Sequence, residues 1–183
     1  VTAEALADKI SRATARMHCD FAFFVGGTHA NAPFLAELER LPGAAGIKIF
    51  MGSSTGDLLV GDDAGLRSIL ENVRRRVSVH SEDEPRLRER ANMRRAGDPS
   101  SHPEWRDVAA ALRATHRLVR IARETGARVH VLHISTGEEM EFLRGDKDNV
   151  SVEVTPQHLT FEASAYHALG TRRVRTLEHN PET

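Results

Sequence analysis

The sequence has few of the features that mark secreted, membrane-spanning or nucleic-acid-binding proteins. It contains a single cysteine, Cys19, so no disulfide can form within the chain, as is usual in a reducing compartment. No apolar run approaches the roughly eighteen residues of a membrane span, and no signal-peptide pattern is present. With 25 Lys and Arg against 26 Asp and Glu, the net charge of -1 gives no general attraction to nucleic acid or to an anionic membrane. We therefore expect a soluble cytoplasmic protein.

Tight-hairpin signals are also absent, and this indicates how the strands are connected. Apolar stretches that predict strands alternate five times with stretches of helical spacing. Such alternation is typical of parallel βαβ units, whose right-handed crossovers bring the carboxyl ends of all strands to one edge. The predicted strands are Asp20–Val25, a run from Gly46 that contains Lys48, Arg76–His80, Arg128–His133 and Val150–Thr155.

Three of the segments between and after these strands also give definite predictions. A loop is expected over Gly97–Pro103, because Gly, Pro and Ser are concentrated there. A long helix is predicted over Glu104–Thr125, ending at Gly126, which suits a left-handed C-cap. A last helix is predicted over Glu162–Leu169.

One lysine, Lys48, lies inside a predicted buried strand. Lysine is almost never fully buried unless it is paired, because removing an ammonium from water is costly or lowers its pKa. Two outcomes are open from this stretch alone. Lys48 either extends along the strand to water, or it is kept neutral and used chemically.

Two histidines, His80 and His133, terminate predicted strands at the edge where parallel α/β folds carry their chemistry. A single histidine at a strand end is more often a hydrogen-bonded structural group, but two of them with a strand lysine favour a site. Neutral imidazole suits Zn²⁺, and a neutral lysine can react with CO₂ to form a carbamate that bridges two metal ions. His130, three residues before His133, is expected to face the other side of the strand.

The residues after His80 leave two alternatives open. Glu82 and Asp83 could accept hydrogen bonds that orient the ligands, or they could simply supply negative charge at a helix N-terminus.

Four motifs in this order resemble the cyclic amidohydrolases, and within that family most closely the dihydroorotases. They are GIKIFMGSSTG, SVHSEDE, VLHISTGEE and VTPQHLTF. The resemblance implies a (β/α)₈ TIM-type barrel of the α/β class. It also implies a site with two Zn²⁺ ions, in which Lys48 is the carbamylated bridging ligand and His80 and His133 hold the second metal. His158 is expected near the substrate, with a capping contact in its loop as the alternative.

The resemblance implies an incomplete barrel over residues 1–183. The five strands correspond to the third to seventh of the family, and they cannot close a barrel by themselves. The His-x-His pair of the first strand and the aspartate of the eighth strand have no counterpart here. Thr176-Leu177-Glu178 resembles the stretch beyond that aspartate, so we expect omitted residues between Thr171 and Thr176.

The implied reaction is the reversible, zinc-dependent interconversion of L-dihydroorotate and N-carbamoyl-L-aspartate in pyrimidine synthesis. Hydantoinases usually carry a tyrosine five residues after the lysine, where this chain has Ser53, which favours dihydroorotase over hydantoinase or allantoinase. The expected partners are the small substrate and a second copy of the chain, with aspartate carbamoyltransferase as a further candidate. A non-catalytic homologue kept as a structural subunit is the alternative. An unrelated doubly wound domain would need a phosphate-binding glycine loop, which Gly26-Gly27-Thr28 is too short to form.

Overall fold

The computed structural model of the protein describes residues 1–54, 56–145 and 149–166. Helices and strands alternate along this part of the chain, and short 3₁₀ turns lie between some of them. The strands are β1 (Phe23–Gly26), β2 (Ala44–Phe50), β3 (Val77–His80), β4 (Val129–Val131) and β5 (Val150–Val152). The α-helices are α1 (Ala3–Ala13), α2 (Leu35–Leu38), α3 (Asp63–Asn72), α4 (Glu84–Arg90), α5 (His102–Trp105), α6 (Val108–Thr125), α7 (Gly137–Leu143) and α8 (Pro156–Thr160).

The described strands form one sheet in which they lie side by side in chain order, and every neighbouring pair is parallel. A doubly wound sheet reverses its strand order at a switch point, whereas this order runs in one direction from β1 to β5. The fold is therefore a parallel α/β sheet whose order is that of consecutive strands in a (β/α)₈ barrel, and the prediction of the fold class is confirmed.

The two faces of the sheet differ in chemistry because successive strand residues point to opposite sides. One face places Ile47, Val79 and Val131, all fully buried, in a hydrophobic core with residues of α3 and α6. The other face carries a row of residues in register across the strands: Gly26, Lys48, Ser78, His130 and Ser151. This face is more open, since Phe24 of β1 keeps 52% of its surface exposed. Lys48 thus lies on the polar face, away from the core.

Several predicted element boundaries are wrong. The strands predicted over Arg128–His133 and Val150–Thr155 end at Val131 and Val152. The helix predicted over Glu104–Thr125 is divided into α5 and α6, because Asp107 adopts an extended conformation and caps the amide of Ala110. The predicted loop Gly97–Pro103 contains a 3₁₀ turn, Pro99–Ser101, and the start of α5.

The carboxyl-terminal predictions are only partly testable. The helix α8 was not predicted, although Pro156 in its first turn is a known helix-start signal. The helix predicted over Glu162–Leu169 is described only as far as Tyr166, and residues 162–164 of it are not helical. Its remainder and the expected omission between Thr171 and Thr176 lie outside the described residues. Among the described helices, none combines the length and apolar character needed to cross a lipid bilayer.

Candidate active site

The two histidines predicted as metal ligands lie together at the carboxyl edge of the sheet. His80 is the last residue of β3, and His133 follows β4 by two residues with a φ of 39°. Nδ1 of His80 is 3.3 Å from Nε2 of His133, and the ring centroids are 5.1 Å apart in an edge-to-face arrangement. Two nitrogens bound to one zinc ion at about 2.0–2.1 Å and a tetrahedral angle are roughly 3.3 Å apart. The observed separation suits two ligands of one ion, and equally an N–H···N hydrogen bond in the metal-free protein.

The prediction that His130 and His133 face opposite sides of the sheet is wrong. His130 lies in the row that contains Lys48, and its Nδ1 is 2.8 Å from Oγ of Ser151. The prediction assumed regular alternation, but the strand ends at Val131 and the positive φ of His133 breaks the alternation.

A buried ion pair fixes the orientation of His80. Nε2 of His80 is 3.1 Å from Oε2 of Glu82, and the Nε and Nη2 atoms of Arg106 donate to Oε1 and Oε2 of the same carboxylate at 2.8 and 2.5 Å. Burial by itself would raise the pKa of Glu82, but the hydrogen bonds from His80 and Arg106 outweigh it and lower the pKa to about 2. An ionised Glu82 can only accept, so His80 carries its proton on Nε2 and presents the lone pair of Nδ1 towards His133.

The two residues after His80 differ in role, so each of the two predicted alternatives applies to one of them. Glu82 orients the histidine, whereas Asp83 is the N-cap of α4, with its side chain accepting from the amide of Arg86.

Lys48 lies beside this pair in a half-buried position on β2. Burial lowers the pKa of Lys48 to about 7, although the charge of Glu153 opposes the shift. The Nζ atom is 4.5 Å from the ring centroid of Phe50, which pairs with His80 in the sheet and has its ring 6.2 Å from the imidazole. The charge of Lys48 also contributes to lowering the pKa of both His80 and His133, after the larger effect of burial. Near pH 7, a large share of Lys48 is therefore a neutral amine.

The donor chemistry of these three residues fits zinc. Neutral imidazole nitrogens are zinc ligands, and a carbamate on Lys48 would add a carboxylate oxygen. Within the described ranges, no group of three or more His, Cys, Asp or Glu side chains is arranged to hold a metal ion. The two-zinc site with a carbamate on Lys48 stays a prediction.

A cavity of about 210 Å³ adjoins the histidine pair. Its walls come from the end of β3, the α5–α6 region, the segment after β4 and the segment around α8, and they include His80, Arg106, His133 and His158. Nδ1 of His158 is 2.9 Å from Oγ1 of Thr155 at the start of α8. His158 therefore contacts the side chain of Thr155 at the start of α8 and also lines the cavity, and its contact with the substrate stays a prediction.

Sequence reasoning missed two residues of this region, Arg106 and Tyr166. Arg106 pairs with the carboxylate of Glu82, which is 24 positions earlier in the chain. Arg106 itself lies in a segment that was predicted to be one continuous helix. Tyr166 lines the cavity, and its hydroxyl is 3.1 Å from Nδ1 of His102. Neither residue stands in a motif, so no signal in the sequence distinguished Arg106 from the other arginines.

A close backbone approach next to the site makes Gly52→Ala a sharp test of local packing. A Cβ at Gly52 would lie 2.5 Å from the carbonyl oxygen of Glu82. We expect the substitution to lower the free energy of unfolding in urea by about 1–3 kcal/mol, because the backbone at Glu82 or at residue 52 must move to make room for the methyl group. Gly137→Ala is the matched control, since a Cβ at Gly137 meets nothing within 4 Å. Equal stability of both variants would show that the contact is not tight.

Acid sensitivity is expected from His102. Burial lowers the pKa of His102 from 6.5 to about 4, with a further contribution from Arg106 that Glu82 partly offsets. Between these pH values the unfolded chain binds a proton that the folded chain does not, so the free energy of unfolding falls as the pH falls through this window. We expect His102→Phe to reduce this dependence in urea titrations at pH 4.5 and 7. An unchanged slope in the variant would contradict the assignment.

Comparison with known proteins gives relatives that include dihydroorotases, allantoinases and an L-hydantoinase. No protein-family profile matches the chain. It is 32% identical over 177 residues to the dihydroorotase of Halobacterium salinarum and 27% identical over 180 residues to the allantoinase of Deinococcus radiodurans. Each match covers 93% of this chain and 40% of the relative, so the chain spans less than half the length of these proteins.

Solved structures agree on the fold. The L-hydantoinase (dihydropyrimidinase) from Arthrobacter aurescens superposes with a TM-score of 0.83 at 24% identity, over 93% of this chain and 40% of that one. The names of these proteins are mixed, so they do not select one substrate. Together, the sequence relatives and the fold support the cyclic amidohydrolase family for this chain.

Proposed function

We propose that this chain provides part of the active site of a metal-dependent cyclic amidohydrolase. The observation that carries the proposal is the 3.3 Å approach of His80 Nδ1 to His133 Nε2, beside a lysine whose pKa is lowered to about 7. A scaffold has no need for a half-buried neutral lysine next to two convergent imidazoles. Such perturbed groups cluster at functional sites.

Each residue has a distinct task in this proposal. His80 and His133 would hold metal through the facing nitrogens, and Glu82 keeps His80 in the tautomer that this requires. Neutral Lys48 attacks CO₂ through Nζ, forms an N–C bond and releases one proton to solvent, which leaves a carboxylate on the side chain. Bound zinc would polarise the amide carbonyl and lower the pKa of a water molecule. His158 lines the cavity, which supports a role for it in contacting the substrate.

Dihydroorotate is the first candidate substrate. Ser53 occupies the position at which the resemblance expects a tyrosine in hydantoinases, and its backbone N–H donates to Oε2 of Glu84 at 3.0 Å. The second candidates are allantoin and hydantoin, because an allantoinase and an L-hydantoinase are among the relatives. Pyrimidine synthesis, self-association and contact with aspartate carbamoyltransferase are proposals that depend on the first candidate.

The test is a turnover assay of the zinc- and bicarbonate-reconstituted protein with dihydroorotate, allantoin and hydantoin. Hydrolysis of dihydroorotate in preference to the others is the expected result. Activity on hydantoin alone would overturn the substrate assignment. Less than one zinc per chain together with no turnover would favour the non-catalytic subunit.

A further inference from the structure

A buried carboxyl group in the cavity wall, that of Glu139, has no task in the proposed function. Glu139 lies in the first turn of α7 and is only 2% exposed. Burial raises the pKa of Glu139, although hydrogen bonds from Thr115, Thr136 and the Ser135 backbone oppose the shift. A buried carboxyl group is costly unless its oxygens are hydrogen-bonded. The partners of this carboxyl group therefore indicate what it does.

The carboxyl group of Glu139 joins the segment that follows His133 to the helix α6. Its Oε2 accepts a hydrogen bond from Oγ1 of Thr136 at 2.9 Å, and its Oε1 accepts one from Oγ1 of Thr115 at 2.7 Å. Thr136 is three residues after His133 and is the N-cap of α7, where its hydroxyl accepts from the amide of Glu139. Capping of α7 accounts for the contacts with Thr136, but it does not account for the bond to Thr115.

Thr115 extends this link to the residue after His80. Its side chain is fully buried, and its Oγ1 is 3.0 Å from Oγ of Ser81. A hydroxyl group has one proton to donate, so Thr115, which donates to Glu139, accepts from Ser81. A chain of side-chain hydrogen bonds, Ser81–Thr115–Glu139–Thr136, therefore connects the segments that follow the two histidines.

We propose that Glu139 is a positioning residue that sets the separation of His80 and His133. This inference rests on the proposed function and deepens it, because the facing nitrogens suit one zinc ion only near the observed 3.3 Å. The pairing of β3 with β4 extends to Val79 and Val131, so both histidines lie beyond the last paired residues. His133 also has a φ of 39°, a conformation that the surrounding structure must hold. The hydrogen-bonded chain through Glu139 supplies this support beyond the sheet.

The experiment separates this link from the helix cap. Thr115→Val keeps the shape of the side chain and leaves the cap of α7 intact, but it removes the hydroxyl between Ser81 and Glu139. Glu139→Leu removes the carboxyl group, whereas Glu139→Gln can still accept one hydrogen bond and donate another. Thr125→Val is the matched control, because it makes the same change in α6 where the hydroxyl bonds to the carbonyl oxygen of Ile121.

Zinc affinity is the first readout, measured by titrating zinc into the protein in the presence of bicarbonate. We expect Thr115→Val and Glu139→Leu to weaken zinc binding about tenfold, because the two imidazoles are no longer held at the distance that one ion requires. Glu139→Gln and Thr125→Val should stay within about threefold of wild type. Equal zinc affinity in Thr115→Val and Thr125→Val would contradict the positioning role.

Nuclear magnetic resonance of the metal-free protein gives a second readout that needs neither zinc nor turnover. Wild type should show a cross-peak between the ring protons of His80 and His133, whose centroids are 5.1 Å apart, and Thr115→Val should weaken it. That result in a protein that hydrolyses no cyclic amide would support the positioning role and refute the proposed function. A lower free energy of unfolding, with the cross-peak and zinc affinity unchanged, would leave Glu139 as a helix cap and overturn the inference. If Glu139→Leu does not fold, as judged by circular dichroism, Thr115→Val decides by the same criteria.

Discussion

Lys48→Ala is expected to reduce cyclic-amide hydrolysis by a factor on the order of 10³ or more, because the carbamate proposed on Lys48 would no longer be available to hold metal. The same variant should bind less zinc after reconstitution with bicarbonate. Short carboxylic acids added to the variant are expected to restore part of the activity, since the truncated side chain leaves room for an external carboxylate. Turnover rates and zinc content by atomic absorption measure these effects.

Lys9→Ala is the matched control for this prediction. Lys9 also places its ammonium near an aromatic ring, 5.7 Å from the centroid of Phe23, but it is exposed on α1. The control should keep wild-type activity and zinc content. Full activity in Lys48→Ala would remove the lysine from the mechanism.

Glu82→Ala is expected to be the most destabilising substitution near the site. The Glu82 and Arg106 side chains are 9% and 3% exposed, so the variant leaves a buried guanidinium without its partner. Breaking a buried pair from one side costs about 3–5 kcal/mol. Urea unfolding at pH 7 measures the loss, and the freed imidazole of His80 should also weaken zinc binding about 10–100-fold.

Asp8→Ala provides the comparison for an exposed pair. Asp8 and Arg12 are 3.6 Å apart on α1, with side chains 64% and 72% exposed. An exposed pair of this kind contributes about 0–1 kcal/mol, so the free energy of unfolding should hardly change. Similar values for Asp8→Ala and Glu82→Ala would contradict the structural role given to the buried pair.

The sequence was informative about the sheet because burial imposes a local pattern. Ile47 and Val79 are apolar since one face of each strand packs on helices, and this is visible in short runs of residues. The placement of His80 and His133 together followed from the rule that parallel strands end at one edge. That rule depends only on the approximate positions of the strands. The prediction therefore held although the end of β4 was predicted two residues too late.

The features that the sequence did not predict depend on contacts between distant residues. The carboxylate of Glu82 contacts Arg106 because α5 and α6 are separated by a break. A charged residue within a helical pattern does not indicate that the helix is broken there. The stack of His102 on Tyr166 joins residues 64 positions apart. The orientation of His133 depends on a positive φ, which a non-glycine residue rarely adopts and which no pattern indicated.

Anomalous diffraction at the zinc edge, from crystals grown with zinc and bicarbonate, tests the central claim most directly. We predict a peak in contact with Nδ1 of His80 and Nε2 of His133, and added density that extends from Nζ of Lys48 as a carboxylate. A bare Lys48 amine, with no peak between the two imidazoles, would contradict the proposed metal centre.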